Sequence, residues 1–502
     1  MAKRASGVLL HPSSLPGHFG IGDLGDNAVV FLDWLQQAGQ TVWQILPLGP
    51  VGQGNSPYDA QSSFAGNFLL IDPMDLRRWD LITQEALQSA EVPESSEVDF
   101  NLVRSSKHRL LRHAWQNLQA SNAASTPRDQ LLSWVNGPDQ RRWLDSWSLY
   151  AALKQHYSGQ SWFNWPIGIR QRNPEVLEQA RNELAEEIRF QEFVQFVFFT
   201  QWNRLRSEAG SRGISFLGDL PFYVAMDSCE VWTQPDLFDI DEAGGARTVA
   251  GVPPDYFSET GQRWGNPTYR WDRLADQGYQ WWIERLRYQL NLVDRLRLDH
   301  FRGFAAYWAI PGDHETATNG DWRPGPGKAL FDAVGAALGG LPFVAEDLGV
   351  ITPDVDQLRV EMHLPGMKVL QFAFDSDDSP HLPHKLTTET VLYTGTHDNN
   401  TAQGWFQALD SITKQRVLTY IGDQPEKVHW SLLRVAQTSV ADLIVAPAQD
   451  FAGLDARCRM NIPGTAEGNW GWRLLQETLT PELAVAARDL ASMAGRTPPA
   501  DV

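Results

Sequence analysis

A (β/α)8 barrel of the TIM type, an α/β fold with inserted and mostly helical segments, is the architecture the sequence predicts. Three observations lead there. Eight short apolar runs recur along the 502 residues, and continuous apolar runs mark parallel strands buried on both faces. Helical patterns fill several intervals between them, the alternation that builds a parallel sheet. Polar residues collect where the runs end, and barrels of this kind keep their chemistry at the C-terminal ends of their strands.

The first run is GVLLHPSS (7–14), followed by the helical pattern DNAVVFLDWLQQAG (26–39). Just before that helix, GDLGDNA has the glycines of a phosphate loop. It lacks the Lys-Ser/Thr ending and its two acids would repel phosphate, so it reads as a turn. The second run is TVWQILPLGP (41–50) and the third is SFLGDLPFYV (215–224). The gap between them, 51–214, is too long for a simple connection. It contains SSKHRLLRHAWQNLQ (105–119), DQRRWLDSWSLYAALKQHY (139–157) and a helical stretch over 174–210. Only the last need be a barrel helix, so 51–214 is expected to hold a largely helical inserted lobe. A second insertion, 225–290, is rich in Gly, Pro, Asp and aromatic residues and is expected to be loop-rich.

The helical pattern DQGYQWWIERLRYQLNLVD (276–294) leads into the fourth run, RLRLDH (295–300). The fifth is PFVAEDLG (342–349), followed by TPDVDQLRVEMH (352–363), with Thr352 as N-cap and Pro353 at the first helical position. KVLQFAFD (368–375), VLYTGTHDNN (391–400) and DLIVAPAQD (442–450) complete the eight. The 52 residues after Asp450 include NWGWRLLQETLTPELAVAARDLASM (469–493), which reads as helix. A β-sandwich needs about 80 or more residues with strand patterning, so no C-terminal sandwich is expected. The whole of 1–502 reads as one barrel domain.

Composition narrows the partners. Hydrophobic content of 42% and charged content of 21% fit a globular protein. The net charge of −19 disfavours nucleic acid and anionic membrane surfaces. No run of about 18 apolar residues is present to span a membrane. The apolar stretch near the start is too short for a signal sequence. Two cysteines, Cys229 and Cys458, make no disulfide framework and fit a reducing cytoplasm. The 21 tryptophans serve either a large core or flat stacking surfaces such as sugars need.

Carboxylates stand at the ends of four proposed strands: Asp219, Asp299, Glu346 with Asp347, and Asp398. Strands that close into a ring bring these ends to one cleft. Like charges there raise at least one pKa, as acid/base chemistry requires. Three readings remain open on these residues: a divalent metal site, glycosidic-bond chemistry by two carboxylates, or caps and salt bridges at loop starts. Four strand ends in register weigh against the last. His300 and His397, beside Asp299 and Asp398, have metal-ligand chemistry. The chain has no HxxxH pair and no His/Cys cluster, however, so no metal and no other cofactor is expected.

The strand-end set resembles the α-amylase clan, and specifically the amylomaltases (4-alpha-glucanotransferases, or disproportionating enzymes). Arg297-Leu298-Asp299 matches the clan's Arg-x-Asp motif. Glu346 in VAEDLG, His397-Asp398 and Asp219 in GDLPFYV match its other strand-end residues. Seven stretches are similar to amylomaltases in particular: GVLLHPSSLPG, GNSPYDAQSSFAGN, GVPPDYFSETGQRWGNPTYRW, LDHFRGF, VAEDLGVITPDV, TGTHDNNT and RMNIPGTAEGNWGWR. They span residues 7 to about 475, and the helical lobe is the least diagnostic part. One departure is AGNFLLIDP, where a Pro is common before the leucines.

The resemblance implies roles. Asp299 would be the nucleophile and Glu346 the acid and then the base, with oxygens about 5 Å apart. Asp398 would stabilise the oxocarbenium-like transition state. Arg297 would keep Asp299 ionised. Asp219, His300 and His397 would bind the same sugar, Tyr58 would stack beneath it, and Asn461 would reach it from beyond the eighth strand. The aromatic loop 251–267, with Tyr256, Phe257 and Trp264, would cover an acceptor site and exclude water. The expected partners are α-1,4-glucans and maltooligosaccharides with glucose as acceptor, without an obligate protein partner. A hydrolase of α-1,4-glucans and a non-catalytic carbohydrate-binding barrel are the alternatives.

Overall fold

The structure, a computed structural model, describes residues 4–52, 54–120, 125–254, 258–422 and 425–497. Eight parallel strands close into a barrel. They are β1 (Ala5–Leu9), β2 (Val42–Gln44), β3 (Ser215–Leu220), β6 (Arg295–Leu298), β9 (Phe343–Ala345), β10 (Gly366–Val369), β11 (Thr390–Tyr393) and β12 (Leu443–Pro447). The ring closes where β1 pairs with β12, from Ala5 opposite Leu443 to Leu9 opposite Pro447. All eight predicted runs thus supply barrel strands. The sixth is shifted: β10 starts at Gly366, and residues 370–372 already turn as a 3-10 helix.

Apolar side chains alternating in and out fill both sides of the barrel. Trp43 and Trp202 are among the largest fully buried side chains. Their indole N–H groups donate to the carbonyls of Leu10, at 2.7 Å, and Leu292, at 3.1 Å, as buried indoles require. Most of the tryptophans are core residues of this kind, and Trp264 and Trp322 are the exposed ones among the described residues. Gly7 lets β1 approach β2, since a Cβ there would lie 2.5 Å from the Val42 carbonyl oxygen.

The stretch 51–214 contains the helices Phe100–Ala120, Ser125–Val135, Leu144–His156, Pro174–Glu183 and Ala185–Ser211. The helical pattern over 174–210 is therefore two helices, broken at Leu184. At the barrel junction a buried Lys107 donates to the carbonyls of Leu69 and Ile71 and pairs with Asp23 at 3.4 Å.

A four-stranded antiparallel sheet, unforeseen in the sequence, lies beside the barrel. Its order is β5–β4–β7–β8: β4 is Thr248–Val252, β5 Gln262–Pro267, β7 Ala306–Pro311 and β8 Asp321–Pro324. Residues 251–252 and 262–267 of the aromatic loop thus lie in the paired strands β4 and β5, and the other partner of β4 is β7. Pattern reading missed the sheet because β5, QRWGNP, carries Gly and Pro and little apolar alternation.

Two further expectations change. Thr352 occupies the N-cap position, but its hydroxyl accepts from Arg302 at 3.0 Å instead of capping the helix. Residues 469–480 are not helical; the helix is Pro481–Met493, capped by Thr480. The preceding segment uses its backbone to bind the barrel and the lobe, with Arg473 N–H on Ser96 and Leu474 N–H on Ser14, both at 2.8 Å. No helix among the described residues is long and apolar enough to cross a membrane.

Candidate active site

Arg297 is the hub. It lies on β6 with its side chain inside the barrel mouth, and its Nη1 donates to both oxygens of Asp219 at 2.8 Å. The same nitrogen lies 2.9 Å from Asp299 Oδ1. Asp219 ends β3 and is fully buried, while the Asp299 side chain keeps 28% of its exposure. Burial pushes the Asp219 carboxyl up, against the pull of Arg297. Asp299 is thus the open carboxylate of the pair, reachable by a ligand and steadied by a fixed cation.

Glu346 follows β9. Its Oε2 accepts the backbone N–H of His300 at 2.8 Å and its Oε1 that of Leu348 at 3.0 Å. His300 has φ of +50°, a left-handed backbone that among non-Gly residues favours His, Asn and Asp. Its N–H, immediately after Asp299, points to Glu346. Burial pushes the Glu346 carboxyl up to about 8; Arg297 opposes the shift and the charge of Asp299 adds to it. The two carboxylates therefore differ in kind: one is half-buried and salt-bridged to Arg297, the other a protonated acid at neutral pH. Such a split is what paired acid and nucleophile roles need.

Asp398 sits in the loop after β11. His397 Nε2 lies 3.3 Å from its Oδ2, and Asn461 Nδ2 donates to its Oδ1 at 2.6 Å. Burial opposes its charge, but His397 and Asn461 hold the carboxyl well below the usual range. Burial likewise works against a charged His397, yet Asp398 raises it overall. His300 behaves in the opposite way: burial pushes it down to about 4, so it is neutral. Its Nε2 has no hydrogen-bond partner among the described residues.

Tyr58 joins the two halves. Its hydroxyl donates to Asp219 at 2.8 Å and its ring stacks on His397, centroids 5.1 Å apart and 19° from parallel. Trp264 on β5 is 38% exposed, with its ring edge-on to His300 at 4.9 Å. Tyr58, Asp219, Trp264, Arg297, Asp299, His300, Glu346, His397, Asp398 and Asn461 therefore belong to one chain of contacts. Tyr256 and Phe257 lie outside the described residues. Among the described residues no group of three or more His, Cys, Asp or Glu side chains is arranged to hold a metal.

Sequence reading missed three neighbours. Arg459 donates to the Asp398 carbonyl at 2.6 Å and to the Asn461 carbonyl at 2.7 Å. Trp470 has its ring centroid 5.8 Å from Tyr58 and 6.0 Å from His397. His11, after β1, is buried beside His397 and lines the same cavity with Thr396 and Arg459. Arg459 and Trp470 fall within RMNIPGTAEGNWGWR, and His11 ends an apolar run as His300 does. Position alone could have flagged His11.

Residues 10–478 match the family described as 4-alpha-glucanotransferase. The chain belongs to that family. It is similar to the 4-alpha-glucanotransferase of Synechocystis sp., with 46% identity over 98% of each chain. The 4-alpha-glucanotransferase of Thermus thermophilus is 44% identical over 98% of this chain and 99% of its own. Among solved structures, the amylomaltase of Streptococcus agalactiae, in complex with acarbose, superposes with a TM-score of 0.95 at 37% identity. That superposition covers 99% of this chain and 100% of the other. As a member of the 4-alpha-glucanotransferase family the chain is an enzyme of the glycosyltransferase type, and its barrel fold is shared with that amylomaltase.

Proposed function

We propose that the protein transfers α-1,4-glucan segments to the 4-hydroxyl of glucose or a maltooligosaccharide by a retaining double displacement. Asp299 attacks the anomeric carbon as the C1–O4 bond breaks, and Glu346 gives its proton to the leaving oxygen. A covalent glycosyl ester of Asp299 results. The acceptor 4-hydroxyl then attacks C1, its proton passes to Glu346, and Asp299 leaves as carboxylate. Asp398, kept ionised by His397 and Asn461, supports the positive charge at C1. Tyr58, Asp219, His300 and His397 hold the same sugar.

The observation that carries this reading is the contrast between Asp299 and Glu346: a half-buried carboxylate paired with Arg297, and a carboxyl raised to about 8 and held by the N–H of the residue beside Asp299. Transfer over hydrolysis requires a bound sugar to beat water at about 55 M, which alignment can achieve. The β4–β5 hairpin, with Trp264 against His300, supplies a wall for that acceptor. The acarbose complex of the Streptococcus agalactiae relative supports an oligosaccharide ligand. The reaction needs no metal or cofactor, and the two free thiols agree with a cytoplasmic enzyme.

Maltotriose decides among the alternatives. A transferase converts it to glucose and a ladder of longer chains with no net gain in reducing ends. A hydrolase raises the reducing ends without a ladder, and a non-catalytic binder leaves maltotriose unchanged. Either of the last two outcomes overturns the proposal.

A further inference from the structure

Asp450 ends the run that forms β12 and lies behind the groups described above. It is 1% exposed, and burial pushes its carboxyl up to about 6. A carboxylate is a costly choice at such a place. Its two oxygens bind two ends of one loop. Oδ2 accepts from the Thr394 hydroxyl at 2.6 Å and Oδ1 from the Ala402 N–H at 2.7 Å. Thr394 follows β11, Ala402 opens the helix Ala402–Ala408, and His397 and Asp398 lie between them. The preceding residue, Gln449, holds a second segment: its Nε2 donates to the Cys458 carbonyl at 3.1 Å. That segment continues into Arg459 and Asn461, whose side chains bind Asp398.

Two consecutive residues of the short helix Ala448–Phe451, which directly follows the barrel strand β12, thus tie down both loops that meet at Asp398. The loop from 395 to 401 contains no helix or strand of its own. Within it, Gln371 also ties the Asn400 carbonyl at 2.7 Å, but among the described residues it is Asp450 that bridges the two residues that bracket His397-Asp398. A reacting group must be held to within about 0.5 Å, and a displacement of about 1 Å costs on the order of 100-fold in rate.

We infer that Asp450, assisted by Gln449, is a positioning residue for the transfer reaction, fixing Asp398 from behind without touching substrate. The inference rests on the reading of Asp398 as the transition-state stabiliser, and the test separates the two.

In the full chain, Asp450→Ala is expected to lower kcat on maltotriose about 100-fold while KM stays within about threefold. Asp450→Asn offers an oxygen to Ala402 N–H and an amide to the Thr394 hydroxyl, and recovers kcat to within about fivefold. The deciding measurement is a double-mutant cycle with Asp398→Asn. If Asp450 acts through Asp398, the double variant is no slower than Asp398→Asn alone, whereas independent effects multiply. Thr394→Val cuts one of the two contacts at nearly constant volume. It carries the same expectation at about tenfold, and decides the matter should Asp450→Ala fail to fold. A folded Asp450→Ala or Thr394→Val with kcat within about twofold of the parent, or losses that multiply in the cycle, overturns the inference. Parental kcat in Asp398→Asn alone overturns the role of Asp398 instead.

Discussion

Replacing Glu346 by Gln takes away the proton that the first chemical step consumes, and the structure sets the size of the effect. Glu346 has a pKa of about 8, so about nine tenths of the enzyme holds the acid at pH 7. A free Glu at about 4.3 would hold it in roughly 0.2% of molecules. A positioned general acid is worth about 10²–10⁴ in rate. Initial rates of glucose release from maltotriose should therefore fall by about 10³ in Glu346→Gln. α-Maltosyl fluoride needs no proton on its leaving group, so its first-turnover burst of fluoride should fall far less, with later turnover limited by the second step. The parent should lose kcat/KM as pH rises through about 8, and the Gln variant should lack that limb. Stability moves as well. The folded chain keeps the Glu346 proton up to about 8, while the unfolded chain releases it near 4.3, so folding binds a proton between these values. The parent's stability contribution from this group is full below that window and is lost as pH rises through it. The Gln variant should gain thermal stability relative to the parent at pH 8 and not at pH 4. A basic limb that persists near 8 in the Gln variant, or a maltotriose rate within about tenfold of the parent, refutes the assignment.

Two further predictions follow from contacts. Arg297→Met leaves Asp219 buried beside Asp299 without its cation, which should cost about 3–5 kcal/mol of stability. Protonation relieves an unpaired Asp219, so denaturant unfolding should show the largest loss above pH 6 and a smaller one at pH 4; a loss under about 1 kcal/mol at pH 7 contradicts the buried pair. Trp264→Ala removes an aromatic wall beside His300, and the ratio of transfer to hydrolysis on maltotriose should fall by about tenfold, the worth of one aromatic contact. An unaltered ratio removes the hairpin from the argument.

The barrel was legible because its strands are apolar on both faces and end in chemistry. RLRLDH shows the strand, its end and the proposed nucleophile Asp299 in six residues. The side sheet was hidden because QRWGNP reads like a turn, and because the pairing of β4 with AYWAIP that joins the sheet's two halves is long-range. Continuous helical periodicity masked the break at Leu184. At the site, residues with charge at strand ends stood out. Asn461 and Arg459 act from a loop without regular structure, and only the resemblance pointed to the first. Asp450 ends an apolar run as Asp299 does, but it lies in the short helix after β12 and holds the back of a loop, a difference no one-dimensional pattern carries.

The central claim is that Asp299 forms a bond to the sugar. Glu346→Gln loaded with α-maltosyl fluoride in the absence of acceptor can complete the first step but lacks the base for the second. Quenching in acid, digesting with pepsin and weighing the peptides reads the outcome directly. The account predicts a peptide spanning Asp299 that is heavier by one maltosyl unit, and none in the variant that also carries Asp299→Asn. Turnover of the fluoride with no adduct, or with the sugar on a different residue, contradicts it.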